Sequence, residues 1–141
     1  MTSLARDAMV TEPVSLDASA TAQEAGELLA GPEMRAVLIC DDGRLIGVVT
    51  RKTLVREVVA AGREPSAVAL REIAEPPNFT LDAGLELEGA FRFLEEQDLE
   101  RVPVVEQDGR LVGVLSRAVV QRRLAEDEPP EAEPDPGSLV L

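Results

Sequence analysis

The sequence predicts an α/β fold of the α+β kind: two pseudo-symmetric β-α-β-β-α repeats packed through their sheets into one globule. Three observations carry this. Residues 35–54 (RAVLICDDGRLIGVVTRKTL) and 101–120 (RVPVVEQDGRLVGVLSRAVV) agree without gaps at eight of twenty positions, where chance gives roughly one or two. A duplication of this size fixes the number of structural units at two. Upstream of each copy lies an apolar stripe at helical spacing, and inside each copy lies an Asp-Gly pair between two apolar runs. The hairpin that such a pair implies is too small to be stable alone, so the halves are expected to pack on one another.

Taken in order, residues 1–10 are predicted as one short helix with Leu4, Ala8 and Met9 inward, with residues 70–74 as its twin. Thr11-Glu12-Pro13 and Glu75-Pro76-Pro77 end these turns, because a residue before proline disfavours the α region. Short extended pieces follow at 14–16 and 79–81. Thr21 and Glu24 have the spacing of a capping box and start a helix with Ala25, Leu28 and Leu29 on its apolar side; Gly31-Pro32 ends it. Leu87, Ala90, Phe91 and Leu94 repeat that stripe at i, i+3, i+4 and i+7. Residues 36–40 and 102–106 then read as strands, Asp42-Gly43 and Asp108-Gly109 as hairpin turns, and 45–49 and 111–115 as partner strands. Thr50 and Ser116 stand where helix N-caps belong, ahead of closing helices at 51–61 and 117–125. The repeat offset is 65 early and 66 late, and the change is expected after the first long helix. The resulting division is 7–62, a linker at 63–69, 70–125, and an acidic, proline-rich tail at 126–141 expected to be disordered.

Composition narrows the chemistry. The 141 residues carry a formal charge of −13, with six carboxylates and no base between positions 126 and 135. Nucleic acid is an unexpected partner for such a chain, since backbone binding needs surplus Lys and Arg. With no Trp or Tyr, stacking platforms for single strands are missing too. No long apolar run suggests a membrane span, and a single cysteine, Cys40, precludes an intrachain disulfide, so a cytoplasmic location is expected. No histidine is present, which removes the commonest general base and metal ligand. No phosphate-loop glycine motif occurs. The chain is not expected to be an enzyme.

The paired segments Arg101-Val102-Pro103-Val104-Val105 and Asp108-Gly109-Arg110-Leu111-Val112-Gly113-Val114-Leu115-Ser116, with their counterparts at 34–39 and 43–50, resemble a tandem pair of cystathionine-β-synthase (CBS) domains, a Bateman module, over about residues 7–125. The resemblance implies a regulatory protein that binds an adenosine-type ligand (AMP, ADP, ATP or S-adenosylmethionine) in clefts between the halves and signals to a partner protein. It places Val14, Arg35, Ala36, Val37, Thr50, Arg51, Thr53, Phe79, Arg101, Val102, Pro103, Ser116, Arg117 and Val119 at those clefts. The family signature Gly-h-h-Thr/Ser-x-x-Asp, with h an apolar residue, uses its hydroxyl for phosphate and its aspartate for the ribose hydroxyls. Here the hydroxyls are Thr50 and Ser116, but Thr53 and Val119 replace the aspartates. A carboxylate receives a ribose diol through charge-assisted bonds of roughly 1.5–3 kcal/mol; Thr53 accepts more weakly and Val119 not at all. The first-half cleft is thus the better candidate. The alternative is a degenerate pair that binds no nucleotide and serves as a dimeric interaction platform. Val55 and Val59 form an extra apolar stripe beside Leu54 and Val58, and such faces mark contacts; in this family the contact is commonly a second module, so a homodimer is expected.

Overall fold

The computed structural model describes residues 2–127. The expected tail at 126–141 lies almost wholly outside the described residues. The elements are α1 (Ala5–Ala8), β1 (Val10–Thr11), β2 (Ser15–Asp17), α2 (Ala22–Leu29), β3 (Ala36–Asp41), β4 (Arg44–Thr50) and α3 (Arg51–Leu54), which runs on as a π-helix over Val55–Val59. After a 3₁₀ turn at Pro65–Ala67 come α4 (Leu70–Ile73), β5 (Leu81–Asp82), α5 (Leu87–Glu96), β6 (Arg101–Val105), β7 (Leu111–Ser116) and α6 (Arg117–Asp127). Two sheets result, β2-β3-β4 and β1-β7-β6-β5, each with one parallel pair and an antiparallel hairpin.

The lead segments are exchanged. Leu70 and Ile73 of α4 are buried in the core formed by α2, β3 and β4, with Leu29, Val37, Ile39, Val49 and Val58. Ala5 of α1 is buried instead with Leu81, Leu87, Leu94, Val102, Leu115 and Val120. The same backbone bonds hold both. Leu70 N–H donates to Ala20 O (2.8 Å) and Arg71 N–H to Ala18 O (3.0 Å), while Ala5 N–H donates to Leu85 O (2.8 Å) and Arg6 N–H to Ala83 O (3.1 Å). A repeat drawn along the sequence is therefore not the same body as a lobe in space.

This exchange corrects the N-terminal expectation. The helix predicted over 1–10 is one turn, its fully buried residue is Ala5, and Val10 and Thr11 form a strand antiparallel to β7. Glu75 does the same to β4, where Val48 and Glu75 exchange backbone bonds. The crossings account for Gly47 and Gly113. A methyl at Gly47 would lie 2.8 Å from both Glu75 O and Ala74 Cβ, and one at Gly113 2.6 Å from Met9 Sδ and 2.8 Å from Val10 O. Real Cβ atoms do not approach so closely, so only glycine admits the crossing strand.

Local chemistry sets the helix starts. Thr21 Oγ1 accepts from Glu24 N–H (3.2 Å) while the Glu24 carboxylate accepts from Thr21 N–H (2.8 Å), the reciprocal capping box expected from the sequence. The two hairpin turns differ. Asp42 (φ 52°) and Gly43 (φ 81°) form a two-residue turn between paired Asp41 and Arg44, whereas Glu106 N–H reaches Arg110 O across three residues and Gly109 alone has positive φ (87°).

That extra turn residue is where the repeat offset changes. Through α2/α5 and β3/β6 the offset is 65: Ala36 pairs with Thr50 as Arg101 pairs with Ser116. Only after the turn does it become 66. The expected shift behind the first long helix is thus misplaced, and the structural counterpart of Arg101 is Ala36, not Arg35.

Candidate functional site

Each sheet has one face against its helices and one turned away. Val37, Ile39 and Val49 lie on the helix side of the first sheet, as do Val102, Val104 and Leu115 in the second. Period-2 alternation therefore puts Ala36, Leu38, Cys40, Val48 and Thr50 on the inner face of one sheet, and Arg101, Pro103, Val105, Val114 and Ser116 on that of the other. The two hairpin tips join across the pseudo-twofold axis: Leu45 N–H donates to Gly109 O and Leu111 N–H to Gly43 O, both at 3.0 Å.

Burial falls off away from that junction. Leu38 and Cys40 are 9 % exposed although no helix covers them, so the opposite half must. Pro103 and Val105 are half-buried, and Ala36 and Arg101, at the far ends of β3 and β6, are exposed. The inner faces meet at the hairpin tips and diverge toward Thr50 and Ser116. Val10, Val14 and Ile46 stand 60 %, 51 % and 39 % exposed, large apolar side chains at the surface. Of these, only Val14 was anticipated. The signal for Ile46 was its place in the second hairpin strand; nothing local in the sequence announces Val10, whose exposure follows from the exchange.

The hydroxyl residues sit as N-caps. Thr50 Oγ1 accepts from Thr53 N–H (3.3 Å), Thr50 N–H donates to Thr53 Oγ1 (3.1 Å), and the two hydroxyls are 3.1 Å apart. Thr53 is completely buried. Its hydroxyl closes a miniature capping box and does not reach the inner cleft. Ser116 accepts one longer bond, from Val119 N–H at 3.4 Å, and Val119 is half-buried.

The two arginines after the caps are engaged. Arg51 Nη2 donates to Gly31 O at 2.8 Å; Arg117 reaches Glu100 (3.2 Å) and Asp98 (3.6 Å). Each ties the start of a closing helix to the loop behind the preceding long helix. Arg35 is exposed and Val37 and Val102 are buried on the helix side, so the latter two offer backbone rather than side chain to the cleft. Phe79 packs edge-to-face on Phe93 (centroids 5.5 Å apart, planes at 75°), at the margin of the second core.

Two further concavities lie elsewhere. One of about 390 Å³ is lined by Arg6, Asp82, Glu106, Asp108 and Arg110 beside the second hairpin tip; the other, of about 320 Å³, is an apolar groove between α2 and the π-helix. Cys40 is a free, buried thiol whose pKa is pushed up by burial, against the hydrogen bond from Ser15. Among the described residues no three His, Cys, Asp or Glu side chains converge to hold a metal ion, and no helix is long and apolar enough to cross a membrane.

Duplicated β-α-β-β-α units, interlocked by exchanged lead segments and open between their inner sheet faces, define a tandem α+β pair. The chain belongs to the CBS domain family, which matches residues 5–60 and again 70–126. It is similar to hypoxic response protein 1 of Mycobacterium tuberculosis, 31 % identical over 123 residues spanning 86 % of this chain and 85 % of that protein. The crystal structure of Hypoxic Response Protein I with two coordinated zinc ions superposes with a TM-score of 0.69 at 29 % identity, over 86 % of this chain and 98 % of that one. CBSX2 in complex with AMP gives a TM-score of 0.67 at 24 % identity, covering 87 % and 96 %. A CBS domain pair in complex with 5′-methylthioadenosine and S-adenosyl-L-methionine gives 0.63 at 19 %, covering 91 % and 100 %. At these lower identities the likeness is one of fold. Stand-alone proteins of this family are generally regulatory.

Proposed function

We propose that the chain is a non-enzymatic, cytoplasmic regulatory CBS pair that takes an adenosine-type nucleotide in the cleft between its inner sheet faces. Binding would bias the packing of the two halves, and a partner protein would read that bias, a population shift set by unequal affinity for two arrangements. The observation that supports this best is that Val10, Val14 and Ile46 stand exposed in a domain pair whose closing helices begin at the caps Thr50 and Ser116. A purine covers apolar surface, and a helix N-terminus favours the phosphate that follows it. On this proposal Val14, Ala36, Arg101 and Pro103 border the base, with backbone of Val37 and Val102; Thr50, Ser116, Arg35, Arg51 and Arg117 lie toward the phosphates. Phe79 closes one end. Arg51 and Arg117 would have to leave Gly31 and Glu100 to take part. Two copies are proposed to associate through the helix face bearing Val55 and Val59, which are 57 % and 70 % exposed.

The zinc ions of the mycobacterial relative are not carried over. Zinc sites draw on His and Cys, and this chain has no His and one buried Cys.

A second proposal, a pair that binds no nucleotide and acts as an interaction platform, is favoured by one fact: Thr53 is sealed and hydrogen-bonded to Thr50, and Val119 has no polar group for a ribose. A melting scan separates the two. A ligand at a hundred times its Kd adds about 2.7 kcal/mol, a rise on the order of 10 °C for a domain of this size. AMP, ADP, ATP or S-adenosylmethionine is expected to produce it. No shift with any of them at millimolar concentration selects the platform.

A further inference from the structure

The two crossings that interlock the halves are alike in backbone and unlike in side chain. Ala74 and Met9 are counterparts. Each closes its lead turn, Ala74 N–H donating to Leu70 O (2.9 Å) and Met9 N–H to Ala5 O (3.1 Å). Each precedes the residue that pairs with a sheet edge, Glu75 with Val48 and Val10 with Val114. Over Gly47 lies the Ala74 methyl, 2.8 Å from where an added Cβ would stand. Over Gly113 lies the Met9 thioether, Sδ 2.6 Å and Cγ 2.8 Å from the equivalent point. A methyl is inert to oxidants; a thioether is not. Met9 is half-buried at the margin of the second core, and the next residue, Val10, is 60 % exposed, so small solutes reach the sulfur from solvent. The strand it anchors is only two residues long, Val10 and Thr11 against Val114 and Gly113.

We propose that Met9 is an oxidation site: a hydroperoxide converts its thioether to the sulfoxide, which leaves the Gly113 notch and loosens the second crossing while the first stays intact. The sulfur lone pair attacks one peroxide oxygen. An S–O bond forms, the O–O bond breaks, and the departing oxygen takes up a proton and leaves as water. Sulfur loses two electrons and the peroxide gains them. The product is larger and more polar than the thioether, and the notch refuses it twice. Its floor is already so close to the sulfur that a methyl on Gly113 would not fit. Val10 O also faces the same point, 2.8 Å from it, so a sulfoxide oxygen turned inward meets an acceptor where it needs a donor. Being flexible, the side chain turns out to water, and the crossing is left to its backbone pairing. Cys40 is a poorer target, because it is buried and burial favours its thiol over the reactive thiolate.

Hydrogen peroxide tests this on the full-length protein, with peptide mass spectrometry to locate the added oxygen and amide exchange to read the crossings. Met9 should gain one oxygen, and exchange at the Val10–Val114 pair should quicken by about tenfold, with the Val48–Glu75 pair unchanged. Treatment with methionine sulfoxide reductases should restore the original exchange. Met9→Leu keeps an apolar side chain and retains Met34 and Cys40, so its exchange before and after peroxide should be the same. Four results overturn the proposal: Met9 unmodified, Met9 fully oxidised with no change at Val10 and Val114, equal acceleration at both crossings, or a response that persists in Met9→Leu.

Discussion

The two halves keep the same backbone and differ in their chemistry. Gly47 and Gly113, the exchanged lead turns and the cap positions all recur. What differs is local: a two-residue turn against a three-residue one, a π-helix against a continuous α6, and a reciprocal Thr50–Thr53 box against a single long bond to Ser116. The π-helix shifts side chains around the axis after Thr50, and such insertions gather at functional sites. Here it leaves Val55 and Val59 exposed and Val58 buried. Duplication has thus preserved whatever the crossing strands require and released the rest, so the halves should respond alike to changes at the crossing and unlike at the caps.

The crossing gives the largest expected effect. Gly47→Ala should destabilise by about 2–3 kcal/mol, read by urea denaturation, because the added methyl meets a backbone oxygen and a Cβ that have no freedom to move. Gly113→Ala should cost somewhat less, since one of its obstacles is the flexible Met9 side chain. Equal, negligible costs would mean the strands do not cross as described. The cleft comes next. Thr53 is sealed and hydrogen-bonded to Thr50, so Thr53→Asp should leave AMP affinity unchanged in calorimetry. A tenfold gain, equivalent to about 1.4 kcal/mol, would mean that the cleft reaches position 53.

The caps should separate the halves more finely. Thr50→Ala should cost about 1 kcal/mol and Ser116→Ala a few tenths, because the first loses a reciprocal pair and the second a 3.4 Å bond. The reverse order in chemical denaturation would break the comparison. The smallest effect concerns pH. Asp17 accepts from both the hydroxyl (2.5 Å) and N–H (2.8 Å) of Ser19, bonds that hold its carboxyl below the ordinary value, with Arg71 adding a little and burial opposing. Among the described residues its counterpart Asp82 accepts from Gly84 N–H (2.7 Å) and not from a side-chain hydroxyl. A depressed carboxyl stabilises the fold above the unfolded value near 3.8, and that share is lost as pH falls through the folded value. Ser19→Ala should raise the Asp17 pKa in an NMR titration and flatten the acid limb of stability; an unmoved pKa would contradict the assignment.

The duplication, both long helices, the Thr21–Glu24 box and the Asp-Gly turns were legible because each follows from a local pattern. The exchange was not. A short apolar turn such as Leu70–Ile73 shows that it needs a core without showing which one, and that choice is made by tertiary packing. The equivalence of Arg35 and Arg101 was misleading because a gapless match conceals an inserted residue when the flanking strands are similar. The commitments of Thr53, Arg51 and Arg117 depend on partners 3 to 20 positions away, and only Thr53 had a neighbour close enough in sequence to suggest one. The π-helix has no residue signature at all.

The account rests on a cleft between inner faces that accepts a nucleotide. Amide chemical shifts during an AMP titration test this directly. The prediction is saturable change clustered at Val10, Val14, Ala36, Ile46 and Thr50, with the helix-side residues Val37 and Val49 shifting less. No change at millimolar AMP, or change centred on the groove between α2 and the π-helix, would contradict it.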